Sequence, residues 1–303
     1  METGSLPLRG RLTRDEPLDG HTSWRVGGPA RRCYRPADLA DLAVFLAELP
    51  PGDPVFWLGL GSNVLIRDGG IPGTVILTSG LLGGLGVIEE GLVRVEAGVA
   101  CAKVARFAVR RGLTGAEFLA GIPGTMGGAL AMNAGAWGGE TWSLVERVET
   151  IDRSGQQRTR ARAEYRPGYR EVRGPLGEWF IAAHLRLPAG DPSAAMARIR
   201  ALLKRRAETQ PLGQPSGGSV FRNPPADFAG RLIEACGLKG ARIGGACVSE
   251  KHANFIVNLG TATAADIEAL LRRVQGTVEQ THGVRLEPEV RIVGVPKRGS
   301  AGG

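Results

Sequence analysis

The sequence predicts an α+β protein built from two or three domains. A chain of 303 residues is too long for one typical hydrophobic core. Its middle portion mixes hairpin-like strands with helical patterns, and Pro188-Ala-Gly-Asp-Pro192 has linker composition, so a domain boundary is placed there.

The elements follow in order. After a charged start, His21 to Gly28 reads as a turn-bounded segment leading to a short strand at Arg31 to Tyr34. Asp38 is placed to cap a helix whose buried face is Leu39, Leu42, Leu46 and Leu49, and Pro50-Pro51 stops it. Val55 to Leu58 is an apolar strand, followed by the turn Gly59-Leu-Gly61-Ser62-Asn63 and a strand-like Val64 to Ile66. Strands are expected at Thr74 to Leu77 and Val93 to Glu96, and a helix from Cys101 to Arg111, ended by Gly112. Leu144 to Asp152 and Gln156 to Ala161 read as a hairpin turning at Ser154-Gly155, and Glu178 to Leu187 alternates as a strand. A helix over Ser193 to Glu208 carries Met196, Ile199, Leu202 and Leu203 on one face and its basic residues on the other. A second helix is expected from Ala226 to Cys236 and a strand from Asn254 to Leu259. Thr263 and Asp266 suit a capping box that opens a helix through Ile267, Leu270, Leu271, Val274 and Val278. The chain closes on a strand over Val284 to Val293, and Lys297 to Gly303 is expected to be a disordered tail.

Within this frame the stretch Gly121-Ile122-Pro123-Gly124-Thr125-Met126-Gly127-Gly128 stands out. Its glycines leave backbone N–H groups unshielded, and Pro123 stiffens the turn that presents them. Such a backbone can wrap an anion, while the small residues Ala129, Ala131, Ala134 and Ala136 let a flat cofactor lie against the main chain. Phosphate plus flat ring suggests a dinucleotide; the competing reading is a glycine-rich surface turn. The turn at Gly59, Gly61, Ser62 and Asn63 can form a second anion-binding nest or a tight hairpin turn. It is not the fingerprint of a doubly wound dinucleotide fold, because no third glycine arrives in register and a strand, not a helix, comes next.

Composition narrows the partners. A net charge of +8 and a pI near 9.8 attract polyanions. A phosphorylated cofactor or substrate accounts for that sign, and no basic stretch interleaved with aromatics supports nucleic-acid binding. No apolar run reaches bilayer-spanning length and residues 1–19 lack a hydrophobic signal core, so a cytoplasmic protein without membrane association is expected. Cys33, Cys101, Cys236 and Cys247 lie far apart with no Cys-x-x-Cys pair, which fits reduced thiols and no metal site.

Three further segments combine with the glycine turns: Tyr165-Arg166, Ser219 after two glycines, and Glu289 in Leu286-Glu-Pro-Glu-Val-Arg291. Together with Asn133-Ala-Gly-Ala-Trp-Gly138 and Ser249-Glu-Lys-His-Ala-Asn-Phe-Ile-Val-Asn258, they resemble in order and spacing the UDP-N-acetylenolpyruvoylglucosamine reductase family of bacterial cell-wall synthesis. The resemblance runs from His21 to about Gly294. It implies an α+β fold with a two-subdomain FAD-binding module of the vanillyl-alcohol-oxidase (PCMH) type over residues 6–78 and 79–190. A C-terminal α+β substrate-binding domain over 193–294 and a tail over 295–303 complete it. The implied reaction uses NADPH to reduce non-covalent FAD, which then passes hydride to the enolpyruvyl ether of a UDP-sugar to give UDP-N-acetylmuramate.

Residue by residue, the resemblance implies FAD contacts at Gly59, Gly61, Ser62, Asn63, Gly121, Ile122, Pro123, Gly124, Thr125, Gly127, Gly128, Ala129 and Arg291. Tyr165 and Asn223 are implied to bind substrate, and Arg166, Ser219 and Glu289 match the catalytic positions, with Ser219 as proton donor. The short segment between Arg166 and Ser219 resembles the subclass that lacks a substrate-covering insertion. Pro167-Gly168-Tyr169 departs from the family's usual acidic residue and serine before an aromatic. No metal and no obligate protein partner are implied.

The residue chemistry supports the same assignment. Hydride addition to an enolpyruvyl double bond builds negative charge next to the carboxylate, which must be stabilised and then protonated. Arg166 can hold the carboxylate with its rigid fork of donors. Ser219 is a poor acid in water, yet it can protonate a strongly basic carbanion when its geometry is fixed. Glu289 can stay protonated and hydrogen-bond the developing oxyanion, or orient a water that reloads the serine. Two other functions compete: an FAD-dependent oxidase using oxygen, and a nucleotide-binding regulator without chemistry.

Overall fold

The structure, a computed structural model, describes residues 7–297. The expected disordered tail lies, from residue 298 on, outside the described residues. In chain order the elements begin β1 (Arg11–Pro17), β2 (Pro29–Arg35), α1 (Leu39–Glu48), β3 (Val55–Leu58), β4 (Val64–Ile66), β5 (Ile71–Leu77), β6 (Leu85–Glu89), β7 (Leu92–Glu96), α2 (Cys101–Arg110) and α3 (Met126–Met132). There follow β8 (Gly135–Ala136), β9 (Gly139–Glu140), β10 (Val145–Asp152), β11 (Gln157–Ala161), β12 (Arg166–Gly168), β13 (Glu171–Arg173), β14 (Glu178–Arg186) and α4 (Pro192–Thr209). The last are β15 (Ser216–Ser219), α5 (Ala229–Ala235), β16 (Arg242–Ile243), β17 (Ala246–Val248), β18 (Phe255–Asn258), α6 (Ala264–His282) and β19 (Arg291–Val293).

Two compact units result, each from discontinuous stretches. The first comprises residues up to 13, 33–60 and 75–206, and the second 14–32, 61–74 and 207 onward. A four-stranded sheet has the order β1-β2-β5-β3. Three of its strands, β1, β2 and β5, contain a point at which the chain passes from one unit to the other.

The first unit is dominated by an antiparallel sheet of order β11-β10-β14-β7-β6. Alternation along its strands places Val93, Val95, Val148, Ala183 and Leu185 in one core with Val104, Ala105 and Ala108 of α2 and Met126 and Leu130 of α3. Ile151 and Ile181 join a second core made with Leu42, Phe45 and Leu46 of α1, Tyr34 and Ile76. Asp38 caps α1 as its position predicts, its carboxylate accepting from the Asp41 N–H at 2.9 Å. Gly112, at φ 70°, follows the end of α2.

The second unit is built on a sheet of order β15-β18-β17-β16. Val248 and Ile256 pack with Leu232 and Ile233 of α5 and with Ile267, Leu270, Leu271, Val274 and Val278 of α6. The expected capping box opens α6: Thr263 Oγ1 accepts from the Asp266 N–H at 3.1 Å, and Asp266 Oδ2 accepts from the Thr263 N–H at 2.9 Å. Asp68 takes the next two donors, the N–H groups of Ala264 and Ala265, at 2.9 Å each. Trp24 is fully buried, its indole N–H donating to the Ile256 carbonyl at 2.8 Å.

The short strands β6, β8, β9, β12, β13, β15, β16 and β17 were not expected, and four further elements differ from expectation for identifiable reasons. β1 arises in the charged start, where its residues are half-exposed or exposed and give no apolar alternation. α3 forms within the glycine-rich stretch. α5 begins at Ala229, not Ala226, because Ala226 sits at φ 63° outside the helical region. The closing strand shrinks to Arg291–Val293; Pro288, which has no N–H to donate, makes only an isolated bridge with Phe221.

Candidate active site

In the first unit the loop after β3 meets the glycine stretch before α3. A Cβ on Gly59 would lie 2.4 Å from Thr125 Oγ1, so any larger residue there would force the Thr125 side chain to move. Gly121 is equally constrained, because its Cβ would fall 1.9 Å from the Trp137 ring. The expectation that every glycine of the stretch presents a free N–H does not hold. Met126 N–H donates to the Val99 carbonyl at 2.8 Å and Gly127 N–H to the Ala97 carbonyl at 2.9 Å, so these two donors anchor α3 to the chain after β7. A Cβ on Gly127 would meet Ala97 Cβ at 2.9 Å, which makes it a packing glycine.

The N–H groups of Gly124, Thr125 and Gly128 have no backbone acceptor among the described residues. Gly128 is exposed, with open space on the side a Cβ would occupy apart from Thr125 Oγ1 at 3.8 Å. These donors lie at the start of α3, where the helix dipole favours negative charge. The donors present therefore fit the phosphates of a dinucleotide. Ile122 is half-buried, Pro123 exposed and Ala129 buried at 2% exposure, so Ala129 belongs to the core that carries the loop.

Arg166 opens β12 and is exposed. Pro167-Gly168 continues the strand, and β12 pairs with β13 through Arg166↔Arg173 and Gly168↔Glu171. The departure from the family pattern thus forms a hairpin whose turn places Arg170 at φ 58° and its guanidinium over the Tyr169 ring. Tyr165, expected to bind substrate, has its ring in the core, 4.8 Å from Trp142 and 5.6 Å from Phe180 between centroids. That burial pushes its phenol up to about 12.

Ser219, Glu289, Asn63 and Arg291 are brought together in the second unit. Ser219 ends β15 opposite Phe255, and the next residue's carbonyl accepts the Glu289 N–H at 2.9 Å, so Ser219 and Glu289 stand on adjoining segments. Both are half-buried. Asn63 Nδ2 donates to the Glu289 carbonyl at 3.1 Å, and the Arg291 N–H donates to the Asn63 carbonyl at 3.1 Å. The parallel pairing of β4 with β19 continues this ladder from Arg291↔Val64. Gly61, at φ 60°, would place a Cβ 2.3 Å from the His21 carbonyl oxygen, and half-buried Ser62 follows it. Asn223 is exposed and its Oδ1 accepts from the Ala229 N–H at 3.1 Å, so it caps α5.

Asn133 and Trp137 were not singled out from the sequence as site residues. Both adopt left-handed backbone conformations, with φ of 43° and 49°. The available signal was an asparagine followed by small residues just after a helix-length segment, where a left-handed C-cap belongs.

Residues 30–160 match the family model described as an FAD binding domain, and residues 210–293 match that of the UDP-N-acetylenolpyruvoylglucosamine reductase C-terminal domain. Together with the phosphate-compatible loop before α3, these define an FAD-containing oxidoreductase. Relatives named UDP-N-acetylenolpyruvoylglucosamine reductase include that of Methylococcus capsulatus, 64% identical over 96% of this chain and 95% of its own length. That of Alkalilimnicola ehrlichii is 62% identical over 94% and 95%. The crystal structure of UDP-N-acetylenolpyruvylglucosamine reductase from Thermus caldophilus superposes with a TM-score of 0.79 at 35% identity, covering 94% of this chain and 98% of that one. The chain belongs to the UDP-N-acetylenolpyruvoylglucosamine reductase family.

Proposed function

We propose that this protein reduces the enolpyruvyl ether of UDP-N-acetylglucosamine enolpyruvate to UDP-N-acetylmuramate, with NADPH as reductant, in peptidoglycan precursor synthesis. The near-full-length kinship with named reductases carries the reading. The adjoining Ser219 and Glu289 supply acid groups suited to it. Bound FAD supplies the hydride relay between NADPH and substrate. Residues 6–78 and 79–190 carry most of the proposed cofactor contacts and 193–294 most of the substrate contacts, with Arg291 on one side and Tyr165 and Arg166 on the other as the exceptions.

Gly124, Thr125 and Gly128 offer N–H groups to the cofactor phosphates, and Gly59 and Gly121 keep the loop in the shape that presents them. Gly61, Ser62, Asn63 and Arg291 form the second cofactor segment. Arg166 grips the substrate carboxylate and stabilises charge as it develops beside it. Ser219 delivers its hydroxyl proton to the carbon that has accumulated that charge. Glu289 serves the same proton path, as donor to the oxyanion or as anchor for a water that reloads Ser219. Tyr165 forms part of the wall behind Arg166, and Asn223 contributes through the α5 terminus that it caps. Among the described residues no helix is long and apolar enough to cross a membrane, and a water-soluble UDP-sugar substrate suits a cytoplasmic enzyme without nucleic-acid or obligate protein partners.

Anaerobic stopped-flow measurement separates the steps. Ser219→Ala is expected to bind FAD and accept hydride from NADPH at a rate close to the parent, then to lose at least about 100-fold in flavin reoxidation by substrate. Reoxidation at the parent rate removes Ser219 from the mechanism. Arg166→Lys keeps the charge but not the bidentate fork, and should slow reoxidation far more than reduction; equal losses in both half-reactions refute a role at the carboxylate.

A further inference from the structure

We propose that Asn133 is a positioning residue for Arg166, an inference that rests on the function proposed above. Arg166 is a long, exposed side chain on a three-residue strand, and a two-stranded hairpin of that size has little stability alone. Its base is fixed from two directions. On one side, Tyr165 is locked in the core between Trp142 and Phe180. On the other, Asn133 Nδ2 donates to the Gly168 carbonyl at 3.0 Å, two residues along β12 from Arg166.

The asparagine is itself fully committed. It is 2% exposed, its Nδ2 also donates to Glu140 Oε2 at 3.0 Å, and its Oδ1 accepts from the Trp142 N–H at 3.1 Å. This pattern of two acceptors facing one end and a donor facing the other suits an amide and not a carboxylate. A reciprocal bond runs from Arg170 Nη1, at the hairpin turn, to the Gly135 carbonyl at 3.1 Å. Asn133 is also the C-cap of α3, at φ 43°, a conformation that asparagine tolerates better than most residues. One short helix therefore carries the phosphate-compatible loop at its start and the tether of the Arg166 hairpin at its end.

Three variants test the tether. Asn133→Gly keeps the left-handed backbone and removes all three side-chain bonds. Asn133→Asp keeps the shape and the acceptor for Trp142, but turns a donor into an acceptor facing the Gly168 carbonyl and Glu140. Arg170→Gln releases the reciprocal bond without touching Asn133. Each is expected to retain flavin and to be reduced by NADPH within about twofold of the parent rate. Reoxidation by the UDP-sugar substrate should slow by roughly 10- to 100-fold, as expected when a catalytic group is misplaced by about 1 Å. Hydrogen exchange should quicken over residues 165–174 before it does in β7 or β14.

Parent-like reoxidation with unchanged hairpin protection overturns the proposal, as does equal slowing of both half-reactions. If Asn133→Gly fails to fold, Asn133→Asp and Arg170→Gln decide by the same criteria. A parent protein whose reduced flavin is not reoxidised by the UDP-sugar overturns the functional reading instead, and the exchange measurement then decides the tether alone.

Discussion

Arg166, Ser219 and Glu289 came from the motifs that carry the family resemblance, and the roles proposed for them rest on residue chemistry that suits an enolate. Asn133 was not legible in this way, since its importance lies in distances to Gly168, Glu140 and Trp142 that no spacing rule encodes. Gly121 was legible as a glycine but not for the reason the structure gives, the Trp137 ring beside its Cα. Burial pushes the Cys101 thiol up to about 12, and a thiol that does not ionise is a poor nucleophile. Iodoacetamide at pH 8 should therefore modify half-buried Cys236 first and leave Cys101 intact in the folded protein; peptide mapping showing early Cys101 alkylation contradicts this. The Ser154 hydroxyl, aided by Arg158, holds the Asp152 carboxyl at about 2 against an ordinary 3.8. A carboxyl depressed on folding stabilises fully above its unfolded value and loses that contribution as pH falls toward its folded one. The melting temperature of Asp152→Asn should accordingly fall less than the parent's between pH 4 and pH 2, and parallel curves would refute the linkage.

At the scale of elements, local signals predicted α1 and α6 well because their caps lie within a few residues of the helix. Thr263→Ala should cost about 1 kcal/mol in urea unfolding by removing one half of the capping box; a midpoint unchanged from the parent would show that Asp68 alone satisfies the terminus. α3 was hidden because adjacent glycines each disfavour a helix by about 1 kcal/mol relative to alanine. What builds it is tertiary: Met126 and Leu130 in the core and the bonds to Val99 and Ala97. The same loop allows a compensation test. Gly59→Ala should lower flavin content by forcing Thr125 Oγ1 away, and adding Thr125→Ala removes the atoms at 2.4 and 3.3 Å, leaving Cβ at 3.4 Å. Absorbance of bound flavin should fall in the single variant and partly recover in the double; normal flavin in Gly59→Ala would refute the packing argument.

For the whole molecule, the α+β class was readable from strand and helix periodicity, but the pairing of β4 with β19 was not. Those strands lie far apart in the chain, and each alone is only three residues long. FAD that binds only the folded protein should raise its stability by roughly 2.7 kcal/mol at a hundredfold excess over Kd. A thermal melt should show that gain for the parent and a smaller one for Gly59→Ala at the same FAD concentration; equal gains would place FAD elsewhere.

The indole of Trp24 donates to a carbonyl 232 residues further along the chain. A ribosome adding about 5–20 residues per second therefore leaves Trp24 waiting on the order of 10–50 s for its acceptor. Throughout that interval the nascent chain carries an apolar segment with no finished core to enter, so the protein's most exposed moment precedes its release. Chains stalled before residue 207 should recruit chaperones through the region around Trp24 and Leu65, detectable by site-specific crosslinking, and should let go once synthesis passes β19.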